Sequence, residues 1–185
     1  GSVDAVANPL INVDQMNFAV SITALFSGLF IVFMGGLADR IGRVRVAIAG
    51  NVLGLVGALL VVLASGSTVL PMLLTGRALQ GLSAACIMPA TMALLKAYWD
   101  GPERQRAVYM WSIGSWGGSG LAAIFGGFLA SNVSWQSIFY VSIAVSAVAI
   151  ALMWGTPESK ADPSELRRFD VPGLLVFMVT VLALM

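Results

Sequence analysis

Two apolar runs, residues 18–37 and 46–64, are each about the twenty residues a helix needs to cross a bilayer. Every charge between residues 18 and 64 is confined to the stretch between them, Gly35-Gly36-Leu37-Ala38-Asp39-Arg40-Ile41-Gly42-Arg43-Val44-Arg45. An ionised side chain held at the bilayer centre costs about 3 kcal/mol or more, so this stretch is a short loop at a water interface. Gly35 and Gly36 let a helix end approach a neighbour closely, and Gly42 can take a positive φ where the chain turns. Asp39 sits at a helix C-terminus, where the macrodipole disfavours an anion by about 0.3–1 kcal/mol. It therefore needs a partner.

The pattern continues along the chain. Residues 69–95, 107–130 and 138–154 read as three more membrane helices, and 171–185 as the start of another that is too short to finish a span. Hydrophobic residues make up 58%, charged residues 10%, and the mean hydropathy is +0.90, values of an all-α integral membrane protein rather than a soluble domain. One cysteine, Cys86, lies in an apolar segment, so there is no disulfide framework. The chain has no histidine, no metal-ligating set, no nucleophile–base pair and no phosphate loop, so an embedded enzyme is not expected. Gly1-Ser2 reads as a tag remnant without a signal peptide after it, and residues 3–15 as the outer end of a largely missing first helix running into an external loop.

Basic residues fall in threes on alternate connections: Arg40, Arg43 and Arg45; Lys96, Arg104 and Arg106; Lys160, Arg167 and Arg168. The opposite connections, 65–68 and 131–135, carry none, and the tenth basic residue is Arg77 within the fourth helix. The positive-inside rule puts the basic side in the cytoplasm. Bases so distributed and offset by acids do not suit nucleic acid. Tyr98, Trp99 and Trp135 are expected as interfacial anchors.

Arg77, Gln80, Gly81, Ala84 and Met88 share one helix face. A guanidinium at this depth needs partners and is by default a functional candidate. Pro89 is expected to kink the same helix. The helix over 46–64, with Asn51 as its lone amide, is expected to pack or face lipid. In 107–130, Gly114, Gly118, Ala122, Gly126 and Ala130 recur every four residues with Ser115, Ser119, Ala123 and Gly127 beside them, two ridges without bulk for close helix packing. Phe26, Met88 and Trp116 are candidates for a substrate cavity wall, since such side chains adapt to varied ligands.

The pattern Gly35-x-Leu37-Ala38-Asp39-Arg40-x-Gly42-Arg43 resembles the loop between helices 2 and 3 of the major facilitator superfamily, with Val44 where that family usually has a basic residue. The run Arg77-x-x-Gln80-Gly81-x-Ser83-Ala84-Ala85 resembles its fourth-helix signature, and Gly126-Gly127 resemble the end of the antiporter signature of drug exporters, with Ala122-Ala123 in place of the usual Gly-Pro. Residues 19–28, 80–90 and 111–120 are similar to the Nor-type quinolone exporters among the fourteen-helix drug:proton antiporters.

The resemblance implies an N-terminal transporter bundle over residues 1–155 (end of helix 1, helices 2–6), a cytoplasmic linker over 156–170, and the start of helix 7 over 171–185. It implies efflux of amphipathic or cationic drugs such as quinolones, quaternary ammonium compounds and dyes, by alternating access, with a proton as coupling ion and no other cofactor. Gly35, Asp39, Arg40, Gly42 and Arg43 would form a cytoplasmic gate. Arg77, Gln80 and Gly81 would serve proton coupling, and Gly114, Gly118, Gly126 and Gly127 helix packing. The expected partners are membrane lipid, drug substrates and a C-terminal half absent from the chain, in a bacterial plasma membrane. The proton carrier would lie in the missing parts or be Asp4. An uptake carrier for a small metabolite and a non-transporting scaffold or receptor are the alternatives.

Overall fold

The computed structural model describes residues 12–134, 136–162 and 170–184, which form helices and connections without a strand. Helix α1 (Val13–Ile41) opens with a capping box: the Gln15 N–H donates to Asn12 Oδ1 at 2.8 Å and the Asn12 N–H to Gln15 Oε1 at 3.1 Å. Helices α2 (Arg43–Leu63) and α3 (Val69–Tyr98) follow. A fourth long helical segment, Gly101–Asn132, comprises α4 (Gly101–Ser112), a π-helical stretch (Ile113–Gly117) and α5 (Gly118–Asn132). Helices α6 (Ser137–Met153) and α7 (Val171–Leu184) complete the order. Four segments, Asp14–Ile41, Arg43–Leu63, Val69–Tyr98 and Gly101–Asn132, are long and apolar enough to cross a membrane.

The helices run past the ends of their apolar runs. The stretch expected as a loop is helical on both sides of a single residue, Gly42, whose φ of 137° breaks the helix where a side chain would be strained. Charges at a helix end need only reach water, so apolarity stops before the backbone hydrogen bonding does. Likewise only Trp99 and Asp100 separate α3 from α4, which starts with a proline in its first turn. The 13–41 helix absorbs Asp14, expected in an external loop; at the first turn its charge suits the macrodipole. The regular helix expected over 107–130 contains the π stretch, and α3 remains continuous through Pro89.

Helix α3 packs against α1 and α2, and α6 packs against α2. Glycines set these distances. A Cβ on Gly57 would stand 2.7 Å from the Gly76 carbonyl oxygen, and one on Gly50 2.7 Å from Cys86 Cβ, so α2 and α3 touch backbone to backbone. A Cβ on Gly35 would stand 3.3 Å from Pro89 Cβ, the close approach expected there. One buried cluster gathers Ala19, Ala58, Val61, Val69, Leu73 and Phe139, and a second Ala38, Val46, Ala47, Cys86 and Ala90.

The second cluster lies toward the charged turns and the first toward the uncharged ones. The ends of α1, α3 and α6 meet there: the Arg43 N–H donates to the Ser159 carbonyl at 2.9 Å, the Ala161 N–H to the Asp39 carbonyl at 3.0 Å, and the Tyr98 hydroxyl to the Pro157 carbonyl. Signature turn, α3–α4 turn and post-α6 segment thus share one end of the bundle, as alternate charged connections require. Asp4, Trp135, Arg167 and Arg168 lie outside the described residues.

Candidate functional site

Two places bring the singled-out residues together. The first is the Gly42 turn. Because only one residue separates α1 from α2, Arg43 stands one turn beyond Asp39, and its Nε and Nη2 both reach Asp39 Oδ1 at 2.9 Å. This is the partner that Asp39 needed. Arg43 Nη1 also donates to Ser159 Oγ at 3.1 Å.

A residue that sequence reasoning missed closes the turn. The Glu158 carboxylate accepts the N–H groups of Val44 at 2.9 Å and Arg45 at 3.1 Å, capping α2, and its Oε2 lies 3.8 Å from Arg45 Nε. It occupies the space beside Gly42, where an added Cβ would be 2.5 Å from its carboxyl carbon. Helix α2 has no cap of its own, since Gly42 offers no side chain, so an anion from a distant segment fills the role. A bare helix N-terminus after a glycine break was the signal that could have prompted a search for an acid. Residues 156–162 therefore act as a strap over the turn. Glu158→Ala should speed amide hydrogen exchange at Val44 and Arg45 about tenfold, the equivalent of about 1–2 kcal/mol of lost capping. Unchanged exchange there would show that the strap does not hold α2.

The α3–α4 turn is bound differently. Arg104 donates through Nε to the Trp99 carbonyl at 2.8 Å and through Nη2 to the Lys96 carbonyl at 3.1 Å and to Asp100 Oδ1 at 2.6 Å, so it caps the end of α3.

The second place is a cavity of about 600 Å³ bordered by α1, α2, α3 and α6. Arg77 and Gln80 line it with Asn51, Ser83, Met88 and Phe139. Arg77 Nη1 donates to Gln80 Oε1 at 3.3 Å, its Cζ lies 5.2 Å from the centre of the Phe139 ring, and its buried Nε has no hydrogen-bond partner among the described residues. Thr23 Oγ1, one of the small polar groups on α1, donates to the Arg77 carbonyl at 3.2 Å. Asn51, expected only to pack, borders the cavity while donating to the Ala47 carbonyl at 3.0 Å. Gly81 faces the opposite way, against the Thr23 carbonyl and Phe26 Cβ.

The three candidate wall residues separate. Met88 lines the cavity. Phe26 instead packs over Gly81 and stacks on Phe30 with ring centres 5.9 Å apart. Trp116, in the π stretch, is 78% exposed. Within the described residues Gly114, Gly118 and Gly127 meet nothing within 4 Å of an added Cβ, and Gly126 meets only Ile138 at 3.8 Å. The smooth ridge thus lies open on this chain. Arg40 ends α1 beside Asp39 on the same turn.

A bundle of bilayer-length helices with glycine-mediated contacts, a charged turn gripped by a strap, and an arginine lining a half-open cavity among the helices defines a polytopic membrane protein of transporter type. The sequence matches the Major Facilitator Superfamily over residues 5–184, and the chain belongs to that family. It is similar to the quinolone resistance protein NorB of Staphylococcus aureus strains bovine RF122 / ET3-1, Newman and USA300 / TCH1516, at 47% identity over 173 residues in each case. These matches cover 94% of this chain and 37% of the relatives, so the chain spans a little over a third of their length.

Proposed function

We propose that this chain forms the N-terminal part of a proton-coupled exporter of amphipathic drugs that works by alternating access. The similarity to quinolone resistance proteins over 94% of the chain carries the reading, and the arginine-lined cavity supports it. In this reading a second half packs on the exposed ridge of the π stretch and α5, and the two halves rock about a site near the midplane of a bacterial plasma membrane. The Gly42 turn and its strap lie in the cytoplasm and favour one of the two states, with Asp39 and Arg43 as the latch. Arg77 couples proton movement to drug movement, the proton itself riding on a carboxylate outside the described helices: Asp4, or an acid of the first helix or of the second half.

The test is a proton-flux assay on vesicles containing the full-length transporter. Adding a quinolone or a cationic dye should release protons from vesicles acidified inside, in proportion to drug accumulated. Drug-independent proton leak, or flux driven only by a small metabolite, would contradict export and favour an uptake carrier.

A further inference from the structure

The cavity wall is mainly apolar, its polar side chains are Arg77 and the neutral Asn51, Gln80, Ser83, Ser142 and Ser146, and among the described residues no carboxylate lines it. A guanidinium in such surroundings is costly without an anion. Among the described residues Gln80 takes one of its N–H groups and Phe139 covers one face, so the guanidinium keeps donors to spare beyond its buried Nε. A planar fork of donors matches one anion shape best, a carboxylate bound by two parallel hydrogen bonds. Beside that fork stand Ile87, Met88 and Phe139, a wall suited to a flat ring. The volume is that of a site for a drug-sized molecule.

We propose that Arg77 is the subsite for the carboxylate of an aromatic-acid substrate, the ring lying against Met88, Ile87 and Phe139. The proposal rests on the exporter reading and deepens it: this part of the protein recognises the anionic end of its cargo, and a purely cationic compound finds no counter-charge here. One carboxylate at a time fits the fork, so bound substrate and an internal acid exclude each other at Arg77, which gives the coupling residue a means of sensing cargo.

Equilibrium binding to the full-length transporter at neutral pH, without a gradient, tests this with a fluoroquinolone and its methyl ester. The unmutated protein should bind the acid about tenfold tighter than the ester, the worth of a charge-assisted bidentate contact. In Arg77→Gln the two affinities should converge. Equal affinity for acid and ester in the unmutated protein would overturn the proposal with no variant needed, and so would an Arg77→Gln variant that keeps the tenfold ratio. If neither compound binds, the exporter reading falls with it.

Discussion

Arg77→Ala is expected to abolish drug efflux while the protein still inserts and folds. The two halves of that expectation have separate physical grounds. Truncation removes the guanidinium from the cavity, its bond to Gln80 and its contact with Phe139, and so removes the one basic side chain that lines the cavity among the described residues. Stability changes little because no described acid is stranded by the loss, and a buried Nε without a partner is relieved. The bond from Thr23 goes to the Arg77 carbonyl, which alanine keeps, so the α1–α3 contact survives. Removing a buried cation without a bound counter-ion should therefore cost within about 1 kcal/mol. Efflux measured beside membrane insertion separates the two, and undiminished efflux by an inserted Arg77→Ala protein would refute the coupling role.

The second large effect falls on the fold. A Cβ at Gly81 would press on the Thr23 carbonyl oxygen and stand 2.9 Å from Phe26 Cβ, and the first of these is backbone that cannot swing aside. Gly81→Ala must push α1 off α3 and should cost about 2–3 kcal/mol, and Gly81→Val more. Gly28→Ala is the matched control on α1, since among the described residues its Cβ would meet only Val181 Cγ1 at an ordinary 3.8 Å and the helix gains propensity. Thermal unfolding in detergent should rank Gly28→Ala at or above the unmutated protein and Gly81→Ala well below it. Equal melting of the two variants would mean that α1 and α3 are not in backbone contact.

How much of this could be read from the chain depended on whether the controlling interaction was local. The α2 span was legible almost to its ends, 46–64 against Arg43–Leu63, because burying backbone in lipid demands an unbroken apolar run. The need of Asp39 for a cation was legible from the helix dipole, and Gly42 as the turning point from its lack of a side chain. The face shared by Arg77, Gln80 and Met88 followed from helical periodicity, yet Gly81, one residue past Gln80, turned out to serve helix contact rather than the cavity. Glu158 was illegible for a different reason: its partners Val44 and Arg45 lie more than a hundred residues away, and a carboxylate in a polar segment carries no mark of which helix it caps. The π stretch at Ile113–Gly117 left no apolar or charge signal, since it alters backbone pairing within a run of small residues. Phe26 and Trp116 do not line the cavity that Met88 lines in this chain, and the sequence could not separate the three because an aromatic on a membrane helix has lipid, neighbour and cavity as equally apolar surroundings.

The central claim is that the charged connections share one membrane face and the uncharged ones the other. It is tested most directly by single cysteines at Ser67, Gln105, Ser131 and Lys160 in a Cys86→Ala background, labelled with a membrane-impermeant maleimide in right-side-out and inverted vesicles. Gln105→Cys and Lys160→Cys should react only in inverted vesicles, and Ser67→Cys and Ser131→Cys only in right-side-out ones. Labelling of Gln105→Cys and Lys160→Cys from opposite faces would contradict the account.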